Sequence, residues 1–175
     1  MQEVEPIGAQ QREQVIAATA EYIALAEQHW QRPFETIPVS FDLSGRSAGM
    51  FRVAGQRRWI RYNPWIFSKF FEENLANTVP HEVAHYIVDV LYTRHRIRPH
   101  GPQWREVMRV FGAEPEVTFS LDLSGVPQRR QQRHHYHCGC QDHALSTTRH
   151  HRVLKGLGRY HCRRCRGLLV YQASE

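Results

Sequence analysis

The chain has 175 residues, of which 41% are aliphatic, aromatic or cysteine and 23% charged, a composition that excludes a disordered or fibrous chain and suits one soluble domain with a small appendage. Residues 1–14 are polar and acidic and no apolar run approaches about 18 residues, so neither a signal peptide nor a membrane span is expected, and the protein is expected in the cytoplasm. In that reducing compartment the four cysteines read as metal ligands or free thiols rather than disulfides. The net charge of +6 is uneven: residues 128–175 hold ten Lys or Arg against two acids, whereas residues 1–127 hold thirteen against fifteen. Seven of the twelve His also fall in the tail. The split predicts two domains, 1–127 and 128–175, of which the basic one would meet a polyanion.

In chain order, Gln10 to Trp30 places Val15, Ala18, Tyr22, Leu25, Ala26 and Trp30 at helical spacings with Glu and Gln between them, predicting an amphipathic helix. Ile37 to Leu43 alternates Val39, Phe41 and Leu43 with Pro38, Ser40 and Asp42, predicting a strand with one buried face. After a turn at 45–49, Met50 to Val53 and Arg58 to Tyr62 read as two more strands joined by a hairpin at Ala54-Gly55-Gln56, which makes a three-stranded sheet. Asn63-Pro64 is a helix start, with Asn as cap and Pro at the first position. The apolar residues Ile66, Phe67, Phe70, Phe71 and Leu75 then lead into Pro80 to Leu91.

That stretch carries His81-Glu82-Val83-Ala84-His85, an H-E-x-x-H motif. On a helix, positions i and i+4 put the two imidazoles one above the other on a single face, where they can hold a metal. Glu82, about 100° round from His81, can reach a water on the ion without ligating it and so is placed as a general base. Ala84, Ile87, Val88 and Leu91 form a buried stripe beside the two His. A buried helix with this polar cluster would carry unpaired groups unless something satisfied them, and a metal does so.

Three residues compete as third ligand. His100 stands in His100-Gly101-Pro102, immediately before a helix with Trp104, Val107, Met108 and Phe111 on its inner side and Gly112 closing it, a position that presents an imidazole rigidly. His95 is nearer in sequence but has no packed residue beside it to fix its place. Glu106 falls between Arg105 and Arg109 on what reads as the outer face. A metzincin arrangement is excluded, since it would need Gly at Val88 and His at Leu91.

The stretch Thr78-Val79-Pro80-His81-Glu82-Val83-Ala84-His85, followed by His100-Gly101-Pro102-Gln103-Trp104, resembles the SprT family of zinc-dependent metallopeptidases, whose eukaryotic relative is the DNA-dependent protease Spartan. The resemblance implies an α+β fold: a minimal, gluzincin-like zincin domain with a small three-stranded sheet and an H-E-x-x-H helix, followed by a C-terminal zinc ribbon. It also implies His81, His85 and His100 as ligands of a catalytic Zn²⁺, with Glu82 as the catalytic acid/base. The substrates it implies are proteins on, or crosslinked to, DNA.

Cys138-Gly139-Cys140 and Cys162-Arg163-Arg164-Cys165 resemble the two knuckles of that ribbon. The C-x-x-C pair has the usual spacing for two thiolates on one Zn²⁺, while C-x-C is tighter, so His143 is an alternative ligand. Residues 145–157, with Val153, Leu154 and Leu157, are expected to form a hairpin, and Leu168 to Tyr171 the last strand. Arg149, Arg152, Lys155, Arg159, Arg163, Arg164 and Arg166, interleaved with Tyr136, Tyr160 and Tyr171, are expected to meet the phosphates and bases of single-stranded or damaged DNA. Two other readings compete: a nucleic-acid-binding adaptor with an inactive zincin site, which would not require Glu82, and a general peptidase indifferent to DNA.

Overall fold

In the computed structural model the chain divides into two compact units, residues 1–128 and 129–175. The described residues are 4–93, 97–115, 121–128 and 132–172. Among them no helix is long and apolar enough to cross a membrane.

The first unit is mixed α and β. Helix α1 (Ala9–Trp30) buries Val15, Thr19, Ile23 and Ala26. Leu25, expected on the inner face, is exposed instead. The stripe passes through Thr19, whose hydroxyl donates to Val15 O at 2.8 Å and meets the Tyr62 hydroxyl at 3.1 Å, so a polar residue takes a core position by satisfying itself on its own helix.

Strands β1 (Val39–Ser40), β2 (Gly49–Ala54) and β3 (Arg57–Tyr62) form the expected three-stranded sheet in the order β1-β3-β2. β2 and β3 are antiparallel across the 55–56 turn, and β1 runs parallel to β3. The first strand is much shorter than its alternation suggests. Pro38 brings only a carbonyl to the ladder, accepting from Ile60 N at 3.0 Å, and Asp42 turns outward onto Arg61 at 2.9 Å, which ends the ladder early.

Asn63 caps α2 (Pro64–Lys69), its Oδ1 accepting from Trp65 N and Ile66 N. Its Nδ2 donates backward to Gly45 O at 3.1 Å and Ser47 O at 3.2 Å, so one buried side chain starts the helix and pins the loop that leads into β2. The chain then breaks at Phe70, resumes as the short α3 (Phe71–Glu73), and makes one π-helical turn over Asn74–Thr78 before α4 (Val79–Leu91). Asn74 stabilises the break by donating to Phe70 O at 2.6 Å and accepting from Thr78 Oγ1 at 2.7 Å. Helix α4 is buried on most sides, packing against α1, α5 (Pro102–Val110) and β2. Gly112, at φ 65°, closes α5 in the left-handed conformation that glycine adopts without strain.

The second unit holds a small sheet of β4 (Arg133–His137), β5 (Asp142–Ser146) and β6 (Val170–Tyr171) in the order β5-β4-β6, all pairs antiparallel. The hairpin expected within 145–157 is absent: Thr147–Leu154 forms helix α6. Its inward residue is His150, buried and stacked on His134 at 3.7 Å with its Nδ1 3.0 Å from the Tyr136 hydroxyl. Counting only Val153, Leu154 and Leu157 as apolar hides the helical period, because a histidine supplies the buried position and Leu154 and Leu157 stay exposed. Among the described residues the buried apolar core of this unit is Tyr136, Leu145, Cys162 and Leu169, with His150 buried beside them.

Candidate metal centres

The first site stands where α4 passes the start of α5. His81 and His85 lie one helical turn apart on α4, and His100 reaches them from the turn before α5. His100 holds a left-handed φ of 55°, a conformation that is uncommon for a residue with a side chain. It is fixed by the next residue: Gly101 N donates to Arg98 O at 3.0 Å, and a Cβ on Gly101 would stand 2.9 Å from that oxygen, so only glycine fits the turn. Trp104 closes the back, its ring 4.8 Å from His81 and 4.7 Å from His100, and its Nε1 donates to His81 O at 3.3 Å.

The three Nε2 atoms converge: His81 to His85 is 3.2 Å, and His100 lies 3.0 Å from each. A neutral imidazole offers one N–H and one lone pair, so three mutually touching Nε2 atoms cannot all be satisfied by one another. A cation at their centre satisfies all three. Nitrogen ligands about 2.0–2.1 Å from a tetrahedral Zn²⁺ stand about 3.3 Å apart, close to the spacing found. Burial, then the neighbouring His81 and His100, push His85 down to about 3, and burial lowers His100 as well. Both are therefore neutral near pH 7, the form that ligates. Of the other two candidates, Glu106 is exposed and outside this group of ligand atoms, and His95 lies outside the described residues.

Glu82 is buried beside the triad, with Phe51 N donating to its Oε2 at 2.7 Å. Burial pushes its carboxyl up to about 7, against the Phe51 N–H, which pulls it down. The carboxylate fits because residue 49 has no side chain: a Cβ there would lie 2.6 Å from Glu82 Cγ, 2.8 Å from Oε1 and 2.8 Å from Thr78 Cγ2. Sequence reasoning missed Gly49, whose only signal is a glycine opening a strand, the mark of a close approach. The site opens into a cleft of about 490 Å³ whose lining includes Met50, Phe51, Val88, Ile97 and Tyr92. The Arg58–Asp89 ion pair, at 2.6 Å, stands at this cleft through Asp89. Tyr86 faces away from it, donating its hydroxyl to Glu35 O at 2.7 Å.

The second site is in the tail. Cys138 and Cys140 flank Gly139, whose φ of 83° makes the tight turn after β4. Cys162 and Cys165 sit in a second turn closed by Cys162 N to Gly167 O and Arg166 N to Cys162 O, both 2.9 Å. The thiols meet, with Sγ separations of 3.3 Å for 138–140, 3.8 Å for 140–162 and 3.7 Å for 138–165. Tetrahedral thiolates about 2.3 Å from Zn²⁺ lie about 3.8 Å apart, so the four fit one ion and a zinc-ribbon arrangement. Burial opposes ionising Cys138, but hydrogen bonds from the Cys140 backbone, His143 and the Cys140 thiol outweigh it and bring the thiol down to about 5. His143 thus stands outside the four sulfurs, its Nε2 3.3 Å from Cys138 Sγ.

Arg149 and Arg152 lie on α6, with Lys155, Arg159, Arg163, Arg164 and Arg166 in the loops that follow, and all seven are exposed. Arg149 stacks over Tyr160 at 5.6 Å.

A model of the SprT-like family matches residues 19–124. The chain is 35% identical to Protein SprT of Pasteurella multocida over 160 residues, covering 91% of this chain and 93% of that one. It is 39% identical over 153 residues to Protein SprT of Pseudomonas paraeruginosa, covering 85% and 88%, and 38% identical over 165 residues to that of Pseudomonas fluorescens, covering 93% and 96%. No solved structure matches. With a family model over more than half its length and relatives aligned nearly end to end, the chain belongs to the SprT-like family.

Proposed function

We propose that the chain is a zinc-dependent endopeptidase with a zincin domain and a zinc ribbon, acting on proteins bound or crosslinked to DNA. The observation that carries the reading is the triangle of Nε2 atoms from His81, His85 and His100 with buried Glu82 beside it at an open cleft. Those three imidazoles would hold a Zn²⁺, and the four cysteines a second, structural one. When bound, the catalytic ion acidifies a water and polarises the substrate carbonyl.

Glu82 does the proton work. Its Oε2 is anchored by Phe51 N, which leaves Oε1 to take a proton from the attacking water and hand it to the departing amine. In the metal-free chain burial raises this carboxyl toward its protonated form, which favours its accepting the water's proton. His81, His85 and His100 hold position, with Trp104 as a rigid wall behind them. Tyr92 lines the cleft where Tyr86 does not, and is the tyrosine we place against the developing oxyanion.

The basic tail supports the DNA-linked part. Exposed Arg and Lys on α6 and around the second cysteine turn would neutralise phosphates, and the Arg149 guanidinium held over the Tyr160 ring offers a planar stacking face for an unpaired base. Binding there raises the local concentration of enzyme at proteins on DNA. The test is digestion of one protein presented free and crosslinked to an oligonucleotide, each with and without added single strand and after nuclease treatment. Cleavage that needs nucleic acid is expected. Equal cleavage after all nucleic acid is removed would overturn the DNA-linked substrate class and leave a general peptidase, while binding without cleavage would favour an adaptor.

A further inference from the structure

We propose that a second phosphate-binding site lies on the first unit itself, in the cavity that Arg98, Arg105 and Arg109 line beside His100. The cavity measures about 510 Å³ and shares Arg98, Pro99 and His100 with the cleft of the metal centre. Helix α5 builds it with two opposed rows. Trp104, Val107 and Met108 face the core, and Arg105 and Arg109, one turn apart, stand on the exposed side. Arg98 comes from the preceding turn, which the Gly101 N to Arg98 O hydrogen bond of 3.0 Å closes.

Among the described residues no ion pair compensates this charge: Arg58, Arg61 and Lys69 each pair with an aspartate, but none of the three cavity arginines does. No carboxylate among the described residues lines the cavity; Glu106, exposed between Arg105 and Arg109 on α5, is not part of its wall. Three guanidinium groups on one concave wall repel each other unless an anion lies between them, and their planar forks match phosphate oxygens. Among the described residues no tyrosine, phenylalanine or tryptophan lines the wall, so the arginines supply the contact, which is to backbone phosphate without regard to sequence. Sharing His100 with the catalytic cleft, the site would hold the nucleic-acid strand next to the peptide being cut. The identity of the polyanion rests on the DNA-linked reading above; the cavity and its charge do not.

The test uses the full zinc-loaded chain and a fluorescent single-stranded oligonucleotide, with anisotropy read over a salt series. Replacing Arg98, Arg105 and Arg109 together by Ala should weaken binding at least about tenfold at low salt and flatten the slope of log affinity against log salt by about 2. Zinc content and helical signal should be unchanged. The Arg105→Gln/Arg109→Gln pair, which leaves the His100 turn untouched, should flatten the slope by about 1.4, and the three Arg→Lys replacements should keep most of it. Wild-type affinity and slope in the Gln pair would overturn the site. Competition by polyglutamate as effective as by the oligonucleotide would also overturn it, in favour of an acidic peptide. Cleavage is not read, so loss of binding in a chain that never cuts leaves the site standing and removes only the peptidase. A wild type that binds no oligonucleotide removes the DNA-linked reading and this site's ligand together.

Discussion

Replacing Gly49 by Ala tests whether the fold positions the base. Gly49 is paired to Tyr62 in the β2–β3 ladder, and Ala48 O accepts from Asn63 N at 2.8 Å, so the strand has little room to retreat. On the other side Thr78 is tied to Asn74 and Glu82 to Phe51 N. A methyl at residue 49 would begin 2.6 Å from Glu82 Cγ, about 1 Å inside ordinary carbon–carbon contact. The backbone has no objection, because the φ of Gly49 is not in the left-handed region, so the effect is steric. Overpacking of this kind costs about 1–3 kcal/mol, or roughly 3–10 °C in melting temperature for a unit of this size. The carboxylate must move by about the overlap, and a 1 Å displacement of a catalytic group costs about a hundredfold in rate. The assay pairs zinc content with kcat and KM on a cleavable protein: kcat should fall by about that factor at full zinc occupancy, with KM nearly unchanged. An Ala variant that keeps its zinc, melts with wild type and cuts within twofold of it would refute the reasoning.

Three further outcomes follow from the same contacts. In metal-stripped protein, Glu82 sits at about 7 against 4.5 for an ordinary carboxyl. Its folded form therefore holds a proton that the unfolded chain releases, a contribution full below pH 4.5 and lost as the pH rises through 7, worth about 3 kcal/mol in total. Metal-stripped Glu82→Gln should accordingly gain on metal-stripped wild type in urea as the pH goes from about 4.5 to 8, and a pH-independent difference between them would contradict the burial argument. Trp104→Phe should cost about 1 kcal/mol through the lost bond to His81 O. Trp104→Ala should cost about 3–5 kcal/mol and weaken zinc at the triad about 10–100-fold; unchanged zinc affinity in the Ala variant would remove the wall from the account. Cys162→Ser should lower zinc from two ions per chain to one and open residues 132–172 to proteolysis, because so small a buried core cannot hold that unit without metal; a protected tail would show that it can.

Much of the first unit is legible because its signals are local. Asn63-Pro64 announces a capped helix, Gly55 a hairpin turn and Gly112 a helix end, and the i, i+4 spacing of His81 and His85 needs only a helix to become a ligand pair. What the sequence hides is who comes close to whom. Nothing adjacent to Gly49 says that Glu82 will lie against it, and nothing beside Asn63 says that its amide will also hold the 45–47 loop. The misread elements have the same root. Thr19 and His150 take buried positions by hydrogen bonding or stacking, so a count of apolar residues puts Leu25 inside and turns α6 into a hairpin. The final strand is shorter than expected, with only Val170–Tyr171 in the ladder and His161–Leu168 as a single bridge, since the cysteine turn and not the strand sets that geometry.

The central claim is that His81, His85 and His100 hold a metal on which Glu82 makes a peptidase. The most direct measurement is cleavage of a DNA-bound protein by wild type and by Glu82→Gln at equal zinc content, followed by mass spectrometry of the fragments. Discrete internal peptide cuts by the wild type are expected, with a loss of at least about a hundredfold in the variant, the scale of general acid–base catalysis. Cutting at the same sites and rate by Glu82→Gln, or none by fully zinc-loaded wild type, would contradict the claim.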